Sequence, residues 1–327
     1  MESQLTELLL PHPLALLLAV AIDFAIGDPV YRLHPVRIIG SVLSRIEHML
    51  RRAGADGYGG GIVLFVALAA ISVAGVIGAV FAAATVNRLL GWLMHTFFVY
   101  TFLALGDLRR HVWRVEQALL AEDLNAARQR IGALVGRDVD RMDAAGCRRA
   151  AIESLSENLT DGFTSPLLWY GVAGLPGLVV FKAVSTMDSM VGYKTAKYLR
   201  FGWCGARLDD LMNYVPARLT WLLIAAVATV LPSCSGRKAF GVGLEQHAIL
   251  LGPNSGWSEA ATAGGIECRL VGPIWMNHQL VTDVWIGDRE DPPAGTHDDM
   301  ARAMRLVTAA GLAAVGMTAI ALAGRVS

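Results

Sequence analysis

Residues 61–86, GIVLFVALAAISVAGVIGAVFAAATV, contain no charged side chain. As a helix rising 1.5 Å per residue this stretch is roughly 39 Å long, more than the ~30 Å hydrocarbon core of a bilayer requires. The run therefore predicts a transmembrane helix. Within it Ala70, Ala74, Gly78 and Ala82 recur every four residues. Such a stripe lets another helix approach closely, although it reads equally well as plain apolar filler.

The rest of the chain agrees with lipid as the solvent. Of 327 residues 54% are hydrophobic and 17% charged, with a mean hydropathy of +0.47. That is too apolar for an ordinary soluble domain of this length. The 28 basic and 28 acidic side chains cancel, so no global field points to nucleic acid. Further spans are predicted at 89–106 and 306–323, and at 13–26 provided that Asp23 faces protein. A carboxylate facing lipid there would cost roughly 2.5–3.5 kcal/mol. Two segments read either as spans or as re-entrant pieces: 167–186, interrupted by Gly174, Pro176 and Gly177, and 217–231, which is short. The N-terminus carries Glu2 and Glu7 but no Lys or Arg before the apolar run, the wrong flank for a cleaved secretory signal.

Arg32, Arg37, Arg45, Arg51 and Arg52 lie before the 61–86 run, and nine arginines lie in 107–165. If 61–86 and 89–106 form a hairpin, both basic segments share one side, which the positive-inside rule makes cytoplasmic. Segment 107–165 reads as amphipathic helices, with Leu108, Val112, Val115 and Leu119 on one face and Leu124, Ala127, Ile131 and Leu134 on another. Residues 232–296, rich in Gly and Pro, read as loops with short helices. The last helix starts near Thr296, with Asp299 placed to complete a capping box. The expected architecture is all-α: one polytopic membrane-embedded domain with a cytoplasmic helical and loop layer. Cys147, Cys204, Cys234 and Cys268 form no C-x-x-C pair and read as structural thiols.

Four polar islands interrupt this pattern. The first, Gly27-Asp28-Pro29 and His34-Pro35-Val36-Arg37, leaves a carboxylate, an imidazole and a guanidinium where a helix stops; Asp28 and Arg37 either pair or meet a ligand. The second places Glu157 and Asp161 four residues apart beside Asn158, a set of hard oxygen ligands suited to Mg²⁺, or simply a helix cap. The third is the densest, with Lys182, Ser185, Asp188, Lys194 and Lys197, then Arg207, Asp209 and Asp210. Cations for phosphate oxygens and carboxylates for a metal are what a phosphate with its Mg²⁺ needs, though Lys194 and Lys197 also read as lysines snorkelling to an interface. The fourth, Gly252 to Ala261 with Asn254 and Ser255, reads as a loop that offers backbone N–H groups to an anion, or as an ordinary loop.

In order and spacing these islands resemble the CobD/CbiB family of adenosylcobinamide-phosphate synthases. The resemblance rests on Asp23-Phe24-Ala25-Ile26-Gly27-Asp28-Pro29, His34-Pro35-Val36-Arg37, Ser156-Glu157-Asn158 and Asp161-Gly162, then on Lys182 to Tyr193, Phe201-Gly202-Trp203, Ala206 to Asp210 and Pro216-Ala217-Arg218. It departs at Gly272-Pro273, where Ile274-Trp275-Met276 stands in place of the family's usual Asn-Tyr-Tyr. The resemblance implies an amide ligase at the cell membrane: with ATP and Mg²⁺, a corrinoid, adenosylcobyric acid, is joined to aminopropanol or its O-phosphate. A carboxylate is a poor electrophile, so ATP would first turn it into an acyl phosphate that the amine attacks.

The expected site faces the cytoplasm, where ATP is. Glu157, Asp161, Asp188, Asp209 and Asp210 are the candidate metal ligands. Arg37, Asn158, Ser185, Lys194, Asn254 and Ser255 are candidates for substrate and phosphate. Lys182, Arg207, His34 and Asp28 are candidates for the chemistry, His34 as a base for the ammonium or as a partner that orients Asp28. Because ATP is on one side, at least one of 167–186 and 217–231 is expected not to cross fully. The lipid bilayer is the expected partner, with room for a homo-oligomer. The rival readings are a non-catalytic membrane sensor and a transporter, the latter favoured by Asp23 alone.

Overall fold

The structure, a computed structural model, describes residues 7–29 and 31–326, without the side chain of Val326; Glu2 lies outside the described residues. It is all-α and polytopic, with short strands, among the described residues, only between 270 and 286. Among the described residues five helical stretches are long and apolar enough to cross a membrane: Tyr58–Val86, Arg88–Leu120, Ala144–Val191, Trp203–Ala228 and His297–Arg325. The chain divides into two compact units, one holding the residues up to Ala104, Ser165–Asn213 and Val315 onward, the other Leu105–Thr164 and Tyr214–Ala314.

In the first unit α1 (Pro13–Ile26) starts with a proline in its first turn and ends where Gly27 turns to φ 70°. Its Asp23 is fully buried, which meets the condition set for this segment, but with 14 residues it is shorter than a full crossing. Helix α2 (Pro35–Arg52) is amphipathic and buries Ile39, Leu43 and Ile46. Helices α3 (Tyr58–Val86) and α4 (Arg88–Phe102) form the expected hairpin, joined by Asn87, whose side chain caps α4 by accepting from Leu89 N–H at 2.8 Å. Helix α3 packs through Leu64, Leu68, Ser72, Val76 and Val80, whereas Ala70, Ala74, Gly78 and Ala82 are exposed. The small-residue stripe is thus not the packing face within this chain. Helix α4 also ends earlier than the expected span, since Leu103 adopts extended backbone.

Helix α8 (Ser165–Val191) is kinked at Gly174, where φ is 63°. Pro176 adds to the break, and Leu175 N–H donates to Leu9 O at 2.9 Å instead of to its own helix. A Cβ on Gly174 would sit 2.1 Å from the same carbonyl, so glycine is required both for the backbone angle and for the close approach. Phe181 and Val184 of α8 make a small core with Met212, backed by Phe65 and Trp169.

In the second unit α5 (Leu105–Leu120), α6 (Leu124–Gly132) and α7 (Ala144–Asn158) pack on one another and bury Val112, Val115, Ala127 and Ile131, as the amphipathic pattern predicts. A π-helical turn, Leu159–Thr164, follows α7. Helix α9 (Trp203–Ala228), which belongs to the first unit up to Asn213 and to the second from Tyr214, is far longer than the 15-residue segment expected, because Pro216 lies inside it instead of stopping it. Segment 232–296 holds α10 (Gly236–Gln246), α11 (Ser255–Gly265) and two antiparallel pairs. In these β1 (Leu270–Val271) pairs with β4 (Trp285–Ile286), and β2 (Ile274–Met276) with β3 (Gln279–Thr282).

From Ser255 onward the fourth island is therefore a helix and not a loop, with Gly256 to Gly265 all buried. Its small side chains allow the packing on α10: a Cβ on Gly264 would lie 2.3 Å from Lys238 O. Helix α12 (His297–Val326) begins with the expected capping box, in which Asp299 N–H donates to Thr296 Oγ1 and Thr296 N–H to Asp299 Oδ2, at 3.1 and 2.8 Å. All four cysteines are free, and Cys147, Cys204 and Cys268 are buried.

Candidate functional site

Each unit gathers its own set of carboxylates. In the first, Asp188 stands one turn before the end of α8, and Asp209 and Asp210 lie in the second turn of α9. Asp209 feels the negative charges of Asp188 and Asp210, with Lys182 as its cationic neighbour. Asn213 Nδ2 donates to Asp209 Oδ2 at 2.9 Å, and its Oδ1 accepts from the buried Ser165 hydroxyl, so one carboxylate oxygen is fixed by a two-link chain. Arg207 reaches Asp210 only at 3.5 Å and is largely exposed, a pairing of little energetic weight. Ser185 is half-buried on α8, and Lys194 is exposed in the segment after it. Lys197, also exposed, donates to Tyr198 Oη at 2.7 Å and lies 3.7 Å from Glu47.

Near α2 the structure pairs Asp28 with His34 and not with Arg37. His34 is buried and its Nε2 lies 2.7 Å from Asp28 Oδ1. A carboxylate only accepts, so Nε2 carries a proton and donates it to Asp28. Burial, and then the Asp28 charge, push the Tyr31 hydroxyl above its ordinary range, so it stays a phenol. Among the described residues the Arg37 side chain reaches only the Tyr31 carbonyl, at 3.4 Å.

The second unit holds Glu153, Glu157, Asp161 and Glu259. Glu153 accepts from Arg137 and, at 3.0 Å, from Val271 N–H. Asn158 donates to Ser154 O at 2.9 Å, back into its own helix. Glu259, on α11, is buried and has no hydrogen-bond donor among the described residues. Burial first, then the charges of Glu157 and Glu153, raise its carboxyl well above the usual range; Arg137 opposes them and Asp161 adds to them. Glu259 and Glu153 were not among the residues expected in the site. The signal for Glu259 is one acid within Ser255 to Gly265, an otherwise uncharged helix. Asn254 lies in the bend that precedes that helix and Ser255 opens the helix.

Beside this group a pocket of about 200 Å³ is lined by Arg137, Arg141, Arg149 and Trp275. The Arg141 guanidinium lies 4.3 Å from the Trp275 ring centre, and Arg149 spends its Nε and one terminal N–H on Val271 O and Ala294 O. Asp138 and Asp143 also line the pocket, but Asp138 accepts from Asn277 and His278 N–H, and Asp143 caps α7 through Gly146 N–H. The pocket can receive a small anion.

Among the described residues no three His, Cys, Asp or Glu side chains converge as a ready metal cage. Mg²⁺ does not need one, since it commonly keeps several waters and takes one or two carboxylates plus phosphate oxygens. Mutually repelling carboxylates with cations close by, as at Asp188, Asp209 and Asp210 with Lys182 and Arg207, fit that mode.

A family model described as CobD/Cbib protein matches residues 16–307. The cobalamin biosynthesis protein CobD of Sinorhizobium fredii is 42% identical over 275 residues, 80% of this chain and 82% of that one. Its namesake from Pelobacter propionicus is 40% identical over 279 residues, 85% and 86% of the two chains. The cobalamin biosynthesis protein CbiB of Salmonella arizonae is 37% identical over 309 residues, covering 93% and 95%. No solved structure matches the chain. With a family match over most of its length and relatives aligned along nearly all of theirs, the chain belongs to the CobD/CbiB family.

Proposed function

We propose that the protein is an enzyme of cobalamin biosynthesis that forms an amide between adenosylcobyric acid and aminopropanol or its O-phosphate, at the expense of ATP. Family membership supports the pathway, and the relatives' printed names carry it no further than cobalamin biosynthesis. The observation that carries the chemistry is the grouping of Asp188, Asp209 and Asp210 against Lys182. Bound Mg·ATP would supply the phosphoryl group that turns a carboxylate into an acyl donor.

On this reading one or two of Asp188, Asp209 and Asp210 hold Mg²⁺, while Lys182 neutralises phosphate oxygens and charge developing on the transferred group. Arg207 and Lys194, exposed and loosely held, are free to close on the same oxygens. Glu157 and Asp161 form the second carboxylate pair, joined by Glu259. An amine must lose a proton to attack, and His34 offers Nδ1 for it while Asp28 fixes the tautomer through Nε2. The rival sensor and transporter readings give no role to so many carboxylates placed among lysines.

The test is direct. Purified protein with Mg·ATP, adenosylcobyric acid and either aminopropanol or its O-phosphate should yield the amide, identified by mass, with ATP consumed in step. No product with either amine, from folded protein, overturns the proposal.

A further inference from the structure

A groove of about 710 Å³ lies outside all the carboxylate groups, along the face of α2 opposite its buried side. Two ridges line it. Arg37, Ser41 and Arg45 follow one another at four-residue spacing and form a polar ridge, which Arg32 extends. Ile38 and Val42 form an adjacent apolar ridge, which Leu33 extends; Leu33 and Ile38 are 75% and 45% exposed. No carboxylate lines the groove. The acids nearest in sequence are engaged elsewhere, Asp28 with His34 and Glu47 with Arg51. Among the described residues Arg32 and Arg45 have no ion-pair or hydrogen-bond partner.

Three guanidiniums without a counter-charge need an anion, and the parallel apolar ridge needs something greasy joined to it. A nucleotide meets the first requirement and not the second, and no aromatic ring lines the groove to stack on a base. A basic amphipathic helix immediately before a membrane span is also where anionic lipid headgroups collect. We propose that this groove binds an anionic phospholipid, its phosphate on Arg32, Arg37 and Arg45 and its acyl chain along Leu33, Ile38 and Val42.

The test uses the full chain, purified in a neutral detergent and titrated with phosphatidylglycerol or phosphatidylcholine while adducts are counted by native mass spectrometry. Phosphatidylglycerol should be retained in preference to phosphatidylcholine. The triple variant R32Q/R37Q/R45Q should lose that preference, at about fivefold in affinity per charge, roughly 150-fold in all. Ser41→Asp, which keeps all three arginines but puts a negative charge among them, should weaken binding too, and Arg88→Gln should not. Monodisperse elution of each variant confirms folding. Equal retention of the two lipids, undiminished phosphatidylglycerol binding in both groove variants, or its displacement by ATP at equal concentration would overturn the assignment. Amide formation that persists in any of these cases leaves the catalytic proposal standing.

Discussion

The indole N–H of Trp169 donates to the backbone carbonyl of Met212 at 3.1 Å. In an unbroken helix that carbonyl would accept from residue 216, which is a proline with no N–H to give. A side chain on α8 thus satisfies the acceptor that Pro216 orphans in α9. Trp169→Phe should destabilise the protein by about 1–3 kcal/mol, the cost of leaving a buried acceptor unmet. In a Pro216→Ala background the N–H returns and the same change should cost measurably less. Thermal unfolding of the four proteins in a double-mutant cycle checks this, and equal costs in both backgrounds would refute it.

Glu259 makes stability depend on pH with a definite sign. Its carboxyl binds its proton more tightly when folded than the ordinary value of 4.5, because it is buried among other acids. The native state therefore holds the extra proton, and its advantage, whole below about pH 4.5, is lost as pH rises through the folded value. In Mg²⁺-free buffer unfolding temperature should fall as pH rises above that point. Glu259→Gln, which cannot ionise, should flatten the slope and be the more stable protein at the alkaline end. Each tenfold increase in proton affinity is worth about 1.4 kcal/mol. A variant with the wild-type slope would show that Glu259 is not the titrating group.

Much of the fold was legible because lipid imposes a strict pattern: the 61–86 run, the α3–α4 hairpin and the burial of Asp23 all follow from it. The Thr296–Asp299 cap was legible too, since it depends only on local spacing. What was hidden depends on distant partners. Pro216 reads as a breaker until Trp169 is seen to replace its bond, and the Gly-rich 252–265 segment reads as a loop until α10 is seen packed against Gly264. Glu259 was missed for the same reason, because its significance comes from Glu153 and Glu157, a hundred residues away in the chain.

The third island yields an activity prediction. Asp188→Asn removes one carboxylate from the group, and Lys182→Ala removes the cation near Asp209. Each should lower kcat for amide formation by roughly 10²–10³-fold, the scale for deleting one preorganised charge. Membrane yield and unfolding temperature should stay close to wild type, because neither residue belongs to the Phe181, Val184 and Met212 core. Full turnover in both variants would take the island out of the chemistry.

Where that island opens is a separate matter from what it does. Lys194 is exposed in the segment between α8 and α9, three residues past the end of α8. Mg·ATP is a cytoplasmic reactant, so if Asp188 and Asp209 meet it, Lys194 must be on that side. The kink at Gly174 gives a physical route, since a helix broken at mid-length can enter and leave on one face provided that protein satisfies its loose backbone groups, as Leu9 does for Leu175. A cysteine placed at Lys194 should therefore resist a membrane-impermeant maleimide in intact cells and react once the membrane is opened. A cysteine replacing Glu2, on the side opposite the basic segments by the positive-inside rule, should react from outside at once. Labelling of the cysteine at 194 in intact cells as readily as after opening the membrane would put the carboxylates on the wrong side for ATP and end the ligase reading at this site.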